Sequence, residues 1–262
     1  MSSKPIGIFD SGVGGLSVLL EMHKILPLET TIYVADQAYI PYGKRTKEEL
    51  VDRVGKIMAF FKEKDVKAVV AACNTASVYA VDEMRNRLEF PIISTVPVVK
   101  TISNLTKTKK TAVLSTPATA KSPYLDFLIE KYANGVHVEK VGGSNLEEYV
   151  ERGDLSSPRV RVILNRVLQP LIKDGIDAIA LGCTHYPFLK DQIQKIVGPN
   201  VFVVDSGGAV SRRLHEILEH NRTLSLQKGT DQYYTTGDVQ KFKKVAEKLM
   251  EQEIGEVEHI NL

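Results

Sequence analysis

Residues 66–75, with the sequence VKAVVAACNT, and residues 176–185, with the sequence IDAIALGCTH, decide the fold of this chain. Each segment is a short apolar run that ends in a cysteine, Cys73 or Cys183, followed by polar residues. A run that is apolar on both faces is typical of a strand buried within a parallel sheet. Because the two segments match each other at an offset of about 110 residues, they predict two related α/β units.

The neighbouring segments support this repeat and the same class of fold. Residues 6–11, IGIFDS, align with residues 111–116, TAVLST, at an offset of about 105 residues. Thr46 and Glu49 have the spacing of a capping box, which opens a helix with its apolar residues on one face. Strands that alternate with amphipathic helices favour an α/β fold whose parallel sheets are covered on both faces. Further elements are predicted as strands at 31–34, 91–96 and 201–204 and as a last helix after Asp238.

The composition excludes several classes of protein. Among 262 residues, 43% are hydrophobic and 25% are charged, as in globular proteins rather than disordered chains. The formal net charge is +2, which is too even a balance for a nucleic-acid or membrane surface. No apolar run approaches the length of about 20 residues that spans a bilayer, and the apolar stretch at 6–9 is too short for a signal peptide. We therefore expect a cytoplasmic protein without a nucleic-acid or membrane partner.

The two cysteines, Cys73 and Cys183, are the first candidates for chemistry. Both follow apolar strands at points where helices are expected to begin, and ligands of open parallel sheets bind beyond such strand ends. Unpaired backbone N–H groups and the positive end of a helix dipole favour a thiolate there. Two thiols on opposite sides of one carbon suit racemisation or epimerisation, in which one group removes a proton and the other returns it.

Other interpretations of these cysteines are open at this point. A cysteine after an apolar strand can be a buried small hydrophobic residue. Cys183-Thr184-His185 offers two types of zinc ligand, but no further ligands follow at a recognisable spacing, so we expect no metal. Thiol-dependent hydrolysis needs only one nucleophile and one base, and a protein that merely binds an acidic amino acid needs neither thiol.

A glycine-rich turn, Asp10-Ser11-Gly12-Val13-Gly14-Gly15, follows the first predicted strand. It lacks the Gly-Lys-Ser/Thr of a P-loop and the full G-x-G-x-x-G register, and a carboxylate at its head would repel phosphate. The carboxylate of Asp10 and the hydroxyl of Ser11 suit the ammonium group of an amino acid. Alternatively, one of these two side chains merely caps the following helix.

The sequence resembles the glutamate racemases, a family of the cofactor-independent aspartate/glutamate racemase superfamily. The resemblance rests on seven motifs that follow one another in family order along essentially the whole chain. They are Gly7-Ile8-Phe9-Asp10-Ser11-Gly12-Val13-Gly14-Gly15-Leu16, Pro41-Tyr42-Gly43, Ala72-Cys73-Asn74-Thr75-Ala76, Thr116-Pro117-Ala118-Thr119, Gly182-Cys183-Thr184-His185-Tyr186-Pro187, Asp205-Ser206-Gly207 and Thr235-Thr236-Gly237-Asp238.

The resemblance implies two pseudo-symmetric Rossmann-like domains with parallel sheets and an active site in the cleft between them. The first domain would comprise residues 1–97 and 208–262, and the second would comprise residues 98–207. The implied activity interconverts L- and D-glutamate without a cofactor, and it supplies the D-isomer for peptidoglycan biosynthesis and so for cell-wall biogenesis and cell shape. The implied assembly is a homodimer, and the implied partner is the small-molecule substrate alone.

The resemblance also implies roles for individual residues. Cys73 and Cys183 match the two catalytic cysteines. Asp10 matches the acid that assists the first thiol, and His185 and Glu151 match the groups that assist the second. An aspartate racemase on the same scaffold is the nearest alternative, because one methylene in a pocket discriminates by only about 1–3 kcal/mol. The residues that match the substrate-binding shell are Asp10, Ser11, Pro41, Tyr42, Gly43, Asn74, Thr75, Thr116, Thr119, Thr184 and His185.

Overall fold

The computed structural model describes residues 2–85, 87–143 and 145–262. The strands in these ranges are β1 (Ile6–Asp10), β2 (Thr31–Ala35), β3 (Ala68–Ala71), β4 (Ile92–Ser94), β5 (Lys110–Ser115), β6 (His137–Gly142), β7 (Ala178–Gly182), β8 (Phe202–Val204), β9 (Gln232–Thr235) and β10 (Val257–His259). The α-helices are α1 (Leu16–Ile25), α2 (Lys47–Glu63), α3 (Asn74–Tyr79), α4 (Val81–Arg85), α5 (Val99–Leu105), α6 (Pro117–Ala120), α7 (Pro123–Tyr132), α8 (Leu146–Glu151), α9 (Pro158–Lys173), α10 (Lys190–Val197), α11 (Gly207–His220) and α12 (Val239–Met250). Short 3₁₀ helices span Gln37–Tyr39, Tyr42–Lys44 and Tyr186–Leu189.

The chain divides into two compact units, each built on its own parallel sheet. The first unit runs through Thr95 and resumes at Gly207, and the second comprises Val96–Ser206. The strand order is β10-β9-β2-β1-β3-β4 in the first sheet and β6-β5-β7-β8 in the second. All described strand pairs are parallel. The predicted α/β fold with parallel sheets is confirmed.

The internal repeat of the sequence is also present in the topology. The order β2-β1-β3-β4 of the first sheet recurs as β6-β5-β7-β8 in the second. In this correspondence β1 matches β5 and β3 matches β7, which are the two pairs of segments that align in the sequence. The first unit differs by the additional strands β9 and β10 on one side of its sheet, which the sequence patterns did not predict.

The helix α2 shows how local sequence builds the core of the first unit. Thr46 accepts a hydrogen bond from the backbone N–H of Glu49 at 3.2 Å, and the Glu49 carboxylate accepts one from the backbone N–H of Thr46 at 2.7 Å. The predicted capping box is therefore confirmed, and it satisfies backbone donors that the first helical turn leaves unpaired. Leu50, Val54 and other apolar residues of α2 are buried against the sheet, as the helical period requires.

The core of the second unit lies where α5 and α7 pack on its sheet. Val99 and Ile102 from α5 and Leu125 from α7 are buried together with Val113 of β5 and Ala180 of β7. The edge strand β6 has no buried residue along its length. Within the described ranges no helix is long and apolar enough to cross a membrane.

One local expectation is wrong. An α-helix begins directly after Cys73, where α3 starts at Asn74, but none begins directly after Cys183. There the chain turns and forms the 3₁₀ helix Tyr186–Leu189 before α10 begins. The backbone N–H of Tyr186 donates to the carbonyl of Cys183 at 3.1 Å, a bond to the third preceding residue that is typical of 3₁₀ geometry.

Candidate active site

The carboxyl end of the first sheet carries Asp10 and Cys73. Asp10 is the last residue of β1 and is fully buried, and Cys73 follows the neighbouring strand β3 and is 6% exposed. The carboxylate of Asp10 accepts a hydrogen bond from the backbone N–H of Gly15 at 2.8 Å. Gly15 precedes α1, whose N-terminus has no side-chain cap, so this bond closes the glycine-rich turn rather than capping the first turn of the helix.

Gly15 allows this close turn. A Cβ atom at this position would lie 2.8 Å from both the Asp10 Cβ and the Tyr33 hydroxyl oxygen. Such separations are too short for any side chain, so the approach of the turn to Asp10 requires glycine here. The Tyr33 hydroxyl in turn donates to the backbone carbonyl of Gly12 at 2.8 Å. The turn that carries Asp10 and Ser11 is therefore held in one conformation.

Asn74 and Thr75 follow Cys73 at the start of α3, and both are buried. Neither the oxygen nor the nitrogen of the Asn74 carboxamide has a hydrogen-bond partner among the described residues. Buried polar side chains in folded proteins are nearly always hydrogen-bonded. This carboxamide therefore has both its donor and its acceptor available for a bound molecule.

Tyr42, in the segment Pro41-Tyr42-Gly43, belongs to the same end of the first sheet. Its hydroxyl donates to the Asp36 carboxylate at 2.6 Å, and its side chain is buried. Burial raises the pKa of Tyr42 well above the ordinary value, and the charges of Asp36, Cys73 and Asp10 raise it further. Tyr42 therefore stays a neutral hydrogen-bond donor at neutral pH. Together, Asp10, Tyr42, Cys73 and Asn74 are called the first cysteine cluster below.

The second unit places three predicted residues in one chain of contacts. The Cys183 sulfur lies 3.7 Å from His185 Nδ1, and His185 Nε2 lies 2.7 Å from the Glu151 carboxylate. Cys183 and His185 are in the turn after β7, and Glu151 is the last residue of α8. Of the three neighbouring glutamates Glu147, Glu148 and Glu151, it is Glu151, the one implied by the family resemblance, that contacts His185. Glu151, Cys183 and His185 are called the second cysteine cluster below.

The charge state of His185 follows from these contacts. Burial by itself lowers the pKa of His185, but the hydrogen bonds to Cys183 and Glu151 outweigh burial and raise the pKa well above its ordinary value. These contacts favour the protonated imidazole, which lies between two groups that can carry negative charge. A positively charged imidazole is a favourable neighbour for a thiolate.

The remaining predicted residues of the second unit lie at the same end of its sheet. Thr116 follows β5, and its hydroxyl accepts from the backbone N–H of Thr119 at 3.3 Å and donates to the Thr119 hydroxyl at 3.2 Å. Thr184, which lies between Cys183 and His185 in the sequence, is buried. Within the described ranges, no group of three or more His, Cys, Asp or Glu side chains is placed to hold a metal ion.

Sequence inspection did not single out Tyr186, Asp36 or Arg53, which support the two clusters. The Tyr186 hydroxyl donates to the carbonyl of Gly143 at 2.8 Å and so holds the turn after Cys183 against the end of β6. Asp36 lies two residues after a predicted strand, which was a usable signal for it. Arg53 lies within the apolar face of α2, where a buried charge is unusual.

Residues 13–214 match the profile of the Asp/Glu/hydantoin racemase family. The chain belongs to this family, and it is an isomerase.

Individual relatives narrow the comparison further. The chain is 43% identical over 241 residues to a glutamate racemase of Deinococcus radiodurans, covering 90% of this chain and 83% of that protein. The crystal structure of Escherichia coli glutamate racemase with L-glutamate has a TM-score of 0.88 at 29% identity, covering 98% of both chains. The glutamate racemase of Francisella tularensis with D-glutamate has a TM-score of 0.87 at 30% identity, covering 100% of this chain and 98% of that one.

Proposed function

We propose that this chain is a glutamate racemase that interconverts L- and D-glutamate by a two-cysteine mechanism. One observation carries the proposal: the topologically equivalent strands β3 and β7 each lead into a cysteine, and each cysteine has its own acid–base neighbours. Binding alone would require neither thiol. The glutamate substrate is supported by the relatives, which are named glutamate racemases and include complexes with both enantiomers.

The mechanism needs one cysteine as thiolate and the other as thiol. The thiolate removes the Cα proton, so that an S–H bond forms as the C–H bond breaks and the electron pair stays on Cα and its carboxylate. The opposite thiol then donates its proton to the other face of Cα and becomes the thiolate. Atoms and charge balance, and the two cysteines exchange their protonation states with every turnover.

The neighbours of each thiol make this exchange possible at neutral pH. His185, protonated and hydrogen-bonded to Glu151, stabilises the Cys183 thiolate. Asp10 lies at the end of the strand next to the one that precedes Cys73 and serves as the acid–base partner of that thiol. We assign Cys73 to the deprotonation of D-glutamate and Cys183 to that of L-glutamate, an assignment supported by the family resemblance.

The proposed substrate contacts follow the chemistry of glutamate. Asp10 and Ser11 suit the ammonium group, since one is an anion and the other a hydroxyl at the same turn. The carboxamide of Asn74 offers its N–H₂ group to a carboxylate. The other residues proposed to bind the two carboxylates are Pro41, Tyr42, Gly43, Thr75, Thr116, Thr119, Thr184 and His185.

The cellular role proposed here also comes from the family resemblance. The enzyme would act in the cytoplasm as a homodimer and supply D-glutamate for peptidoglycan. Restoration of growth in a bacterial strain that depends on added D-glutamate would support this role. Sedimentation of the purified protein as a monomer at all concentrations would contradict the homodimer.

Incubation with L-glutamate in deuterated water tests the reaction itself. We expect the optical rotation to decay to zero while the product D-glutamate acquires one deuterium at Cα, without added cofactor. The same measurement with L-aspartate distinguishes an aspartate racemase, which would act on the shorter substrate instead. Deuterium uptake without loss of optical rotation would contradict the two-face mechanism, because the proton would then leave and return on one face.

Serine variants test the assignment of the two faces. Serine is a much poorer base than cysteine, so Cys73→Ser slows the deprotonation of D-glutamate in particular. The primary deuterium isotope effect should then increase in the D-to-L direction relative to L-to-D, and Cys183→Ser should show the opposite asymmetry. Isotope effects that stay symmetric in both variants would mean that one base serves both proton transfers.

A further inference from the structure

The segment between β2 and α2, which carries Pro41-Tyr42-Gly43, is held by one buried carboxylate, that of Asp36. Asp36 is fully buried and directly follows β2. Its Oδ2 accepts from the Tyr42 hydroxyl at 2.6 Å and from Arg53 Nε at 2.8 Å. Its Oδ1 accepts from Arg53 Nη2 at 2.5 Å and from the Thr236 hydroxyl at 2.9 Å. Four donors therefore surround this carboxylate, two on each oxygen.

Arg53 makes this buried carboxylate possible. Its side chain is 4% exposed and binds Asp36 through two nitrogens, a geometry that lysine cannot reproduce. The ring of Tyr39 covers the guanidinium, whose central carbon lies 4.2 Å from the ring centroid. A buried charge without a partner is strongly unfavourable, so the Asp36 carboxylate and the Arg53 guanidinium depend on each other in this interior.

Thr236 connects this arrangement to the motif Thr235-Thr236-Gly237-Asp238, which the proposed mechanism leaves without a role. The Thr236 hydroxyl donates to Asp36 and accepts from the backbone N–H of Ala38 at 3.0 Å. The residue follows β9 and lies 200 positions from Asp36 in the sequence. The segment is thus fastened both to α2 through Arg53 and to the end of β9 through Thr236.

We propose that Arg53 is a positioning residue: through Asp36 it holds the Tyr42 hydroxyl, and with it the backbone of Pro41-Tyr42-Gly43, in the conformation that binds glutamate. This rests on the proposed function, in which that segment contacts a carboxylate of the substrate. The contacts of Arg53 are with Asp36, Tyr39 and the backbone carbonyl of Leu262, so it acts on the substrate only through other residues. Its loss therefore weakens substrate binding and leaves the proton transfers in place.

The position of Arg53 supports a role beyond stability. Its neighbours on the same face of α2, Leu50, Val54 and Ile57, are all apolar and buried. Replacing a buried ion pair by apolar residues of similar volume is often neutral or stabilising, so stability alone does not require this pair. An apolar replacement would lose the contacts of this pair with the Leu262 carbonyl and with Thr236. It would also lose the hydrogen bond to Tyr42, whose hydroxyl is the only one in the Pro41-Tyr42-Gly43 segment.

The test compares KM and kcat for both glutamate enantiomers in Tyr42→Phe, Arg53→Lys and Arg53→Met. We expect KM to rise about tenfold in Tyr42→Phe and Arg53→Met, and less in Arg53→Lys, with kcat within about threefold of wild type. Tyr42→Phe combined with Arg53→Met should raise KM no further than Arg53→Met alone, since both act through one contact. Lys56→Met is the matched control, because Lys56 forms an exposed ion pair with Asp52 on the same helix.

The outcomes separate this inference from the proposed function. If the wild type racemises glutamate and both Arg53 variants keep its KM, the positioning role is wrong while the proposed function stands, whatever the KM of Tyr42→Phe. If the wild type does not racemise glutamate, the proposed function is wrong, and hydrogen exchange decides the positioning role. The backbone amides of residues 42–44 should exchange faster in Tyr42→Phe and Arg53→Lys than in Lys56→Met, and unchanged exchange would overturn it.

Discussion

The two cysteine clusters lie at equivalent places in two related units, yet the polar groups near the two thiols are of different kinds. In the first unit the carboxylate of Asp10 ends β1, the strand beside the one that leads to Cys73. In the aligned position of the second unit, β5 ends in Ser115, which carries no charge. There the polar groups near the thiol are His185 from the turn after β7 and Glu151 from the end of α8.

This difference shows which parts of the site the repeated topology determines. The strand order recurs in both units, so each sheet delivers a cysteine at the same strand end. The assisting groups come from a strand end in one unit and from a turn and a helix end in the other. Since loops vary more freely than the strands they connect, each unit has acquired its own assisting group. Variants should therefore affect the two proton transfers unequally.

The largest effect is expected from removing either thiol. Cys73→Ala and Cys183→Ala should each lower the racemisation rate by about 10⁴-fold, because each thiol makes one of the two proton transfers. Glutamate binding, measured by calorimetry, should persist in both variants, since the thiols do not hold the carboxylates. Near wild-type turnover in either variant would show that this cysteine is not catalytic and that the two clusters do not have equivalent roles.

A smaller effect is expected from the assisting groups, Asp10 and His185. Asp10→Asn and His185→Asn should each lower kcat/KM by about 10²–10⁴-fold. The loss must be equal in both directions, because the enantiomers have equal free energy and the equilibrium constant stays at one. The primary isotope effect is therefore the informative measurement: it should increase from D to L in Asp10→Asn and from L to D in His185→Asn. The same asymmetry in both variants would mean that the two clusters do not serve opposite faces.

Glu151→Gln should lower kcat about tenfold, as expected for the loss of one hydrogen bond to a charged group. The pH dependence gives the sharper test, because the hydrogen bond and charge of Glu151 help to raise the pKa of His185. Protonated His185 supports the Cys183 thiolate, so activity falls as the pH rises through the raised pKa. The glutamine in this variant carries no charge, so the pKa of His185 falls and the alkaline limb of the profile should move to lower pH. An alkaline limb at unchanged pH would show that Glu151 does not control the ionisation of His185 during turnover.

The smallest effect on activity is expected at Asp231, which lies by the amino end of β2, while the first cysteine cluster lies at the carboxyl end of the same sheet. Burial disfavours its charge, but hydrogen bonds from His23, Lys228 and Thr31 lower its pKa to about 2. Because the pKa of Asp231 is lower in the folded protein than in the unfolded chain, its ionised carboxylate stabilises the fold at pH values above the ordinary pKa of aspartate. This contribution is lost as the pH falls through about 2. Asp231→Asn should therefore lose about 2 kcal/mol of unfolding free energy at pH 7, measured in urea, and progressively less toward acid pH.

Turnover in Asp231→Asn should match that of wild type, which makes it the control for the three predictions above. A comparable loss of activity would show that the end of the first sheet opposite the first cysteine cluster influences catalysis. A loss of unfolding free energy that does not depend on pH would show that the ionised form of Asp231 is not the stabilising one.

Much of the fold was predictable because its signals are local. The capping box at Thr46 and the apolar run of β3 act within a few residues, and both are confirmed. Strands β9, with the sequence QYYT, and β10, with the sequence VEH, were missed because neither contains a run of aliphatic residues. The helix expected directly after Cys183 was wrong because Tyr186 bonds to the third preceding carbonyl and forms a 3₁₀ turn first. The roles of the site residues stay predictions.

The sequence by itself determined the α/β class, the internal repeat and the placement of a cysteine after β3 and β7, since hydrophobic period and chain order are enough for these. Only the tertiary structure decided which polar groups meet. Glu151 reaches His185 across 34 positions, and Thr236 reaches Asp36 across 200. Contacts at such separations depend on how helices pack and where strands end, so no local pattern records them. The charge of His185 and the buried pair of Arg53 and Asp36 follow from that packing.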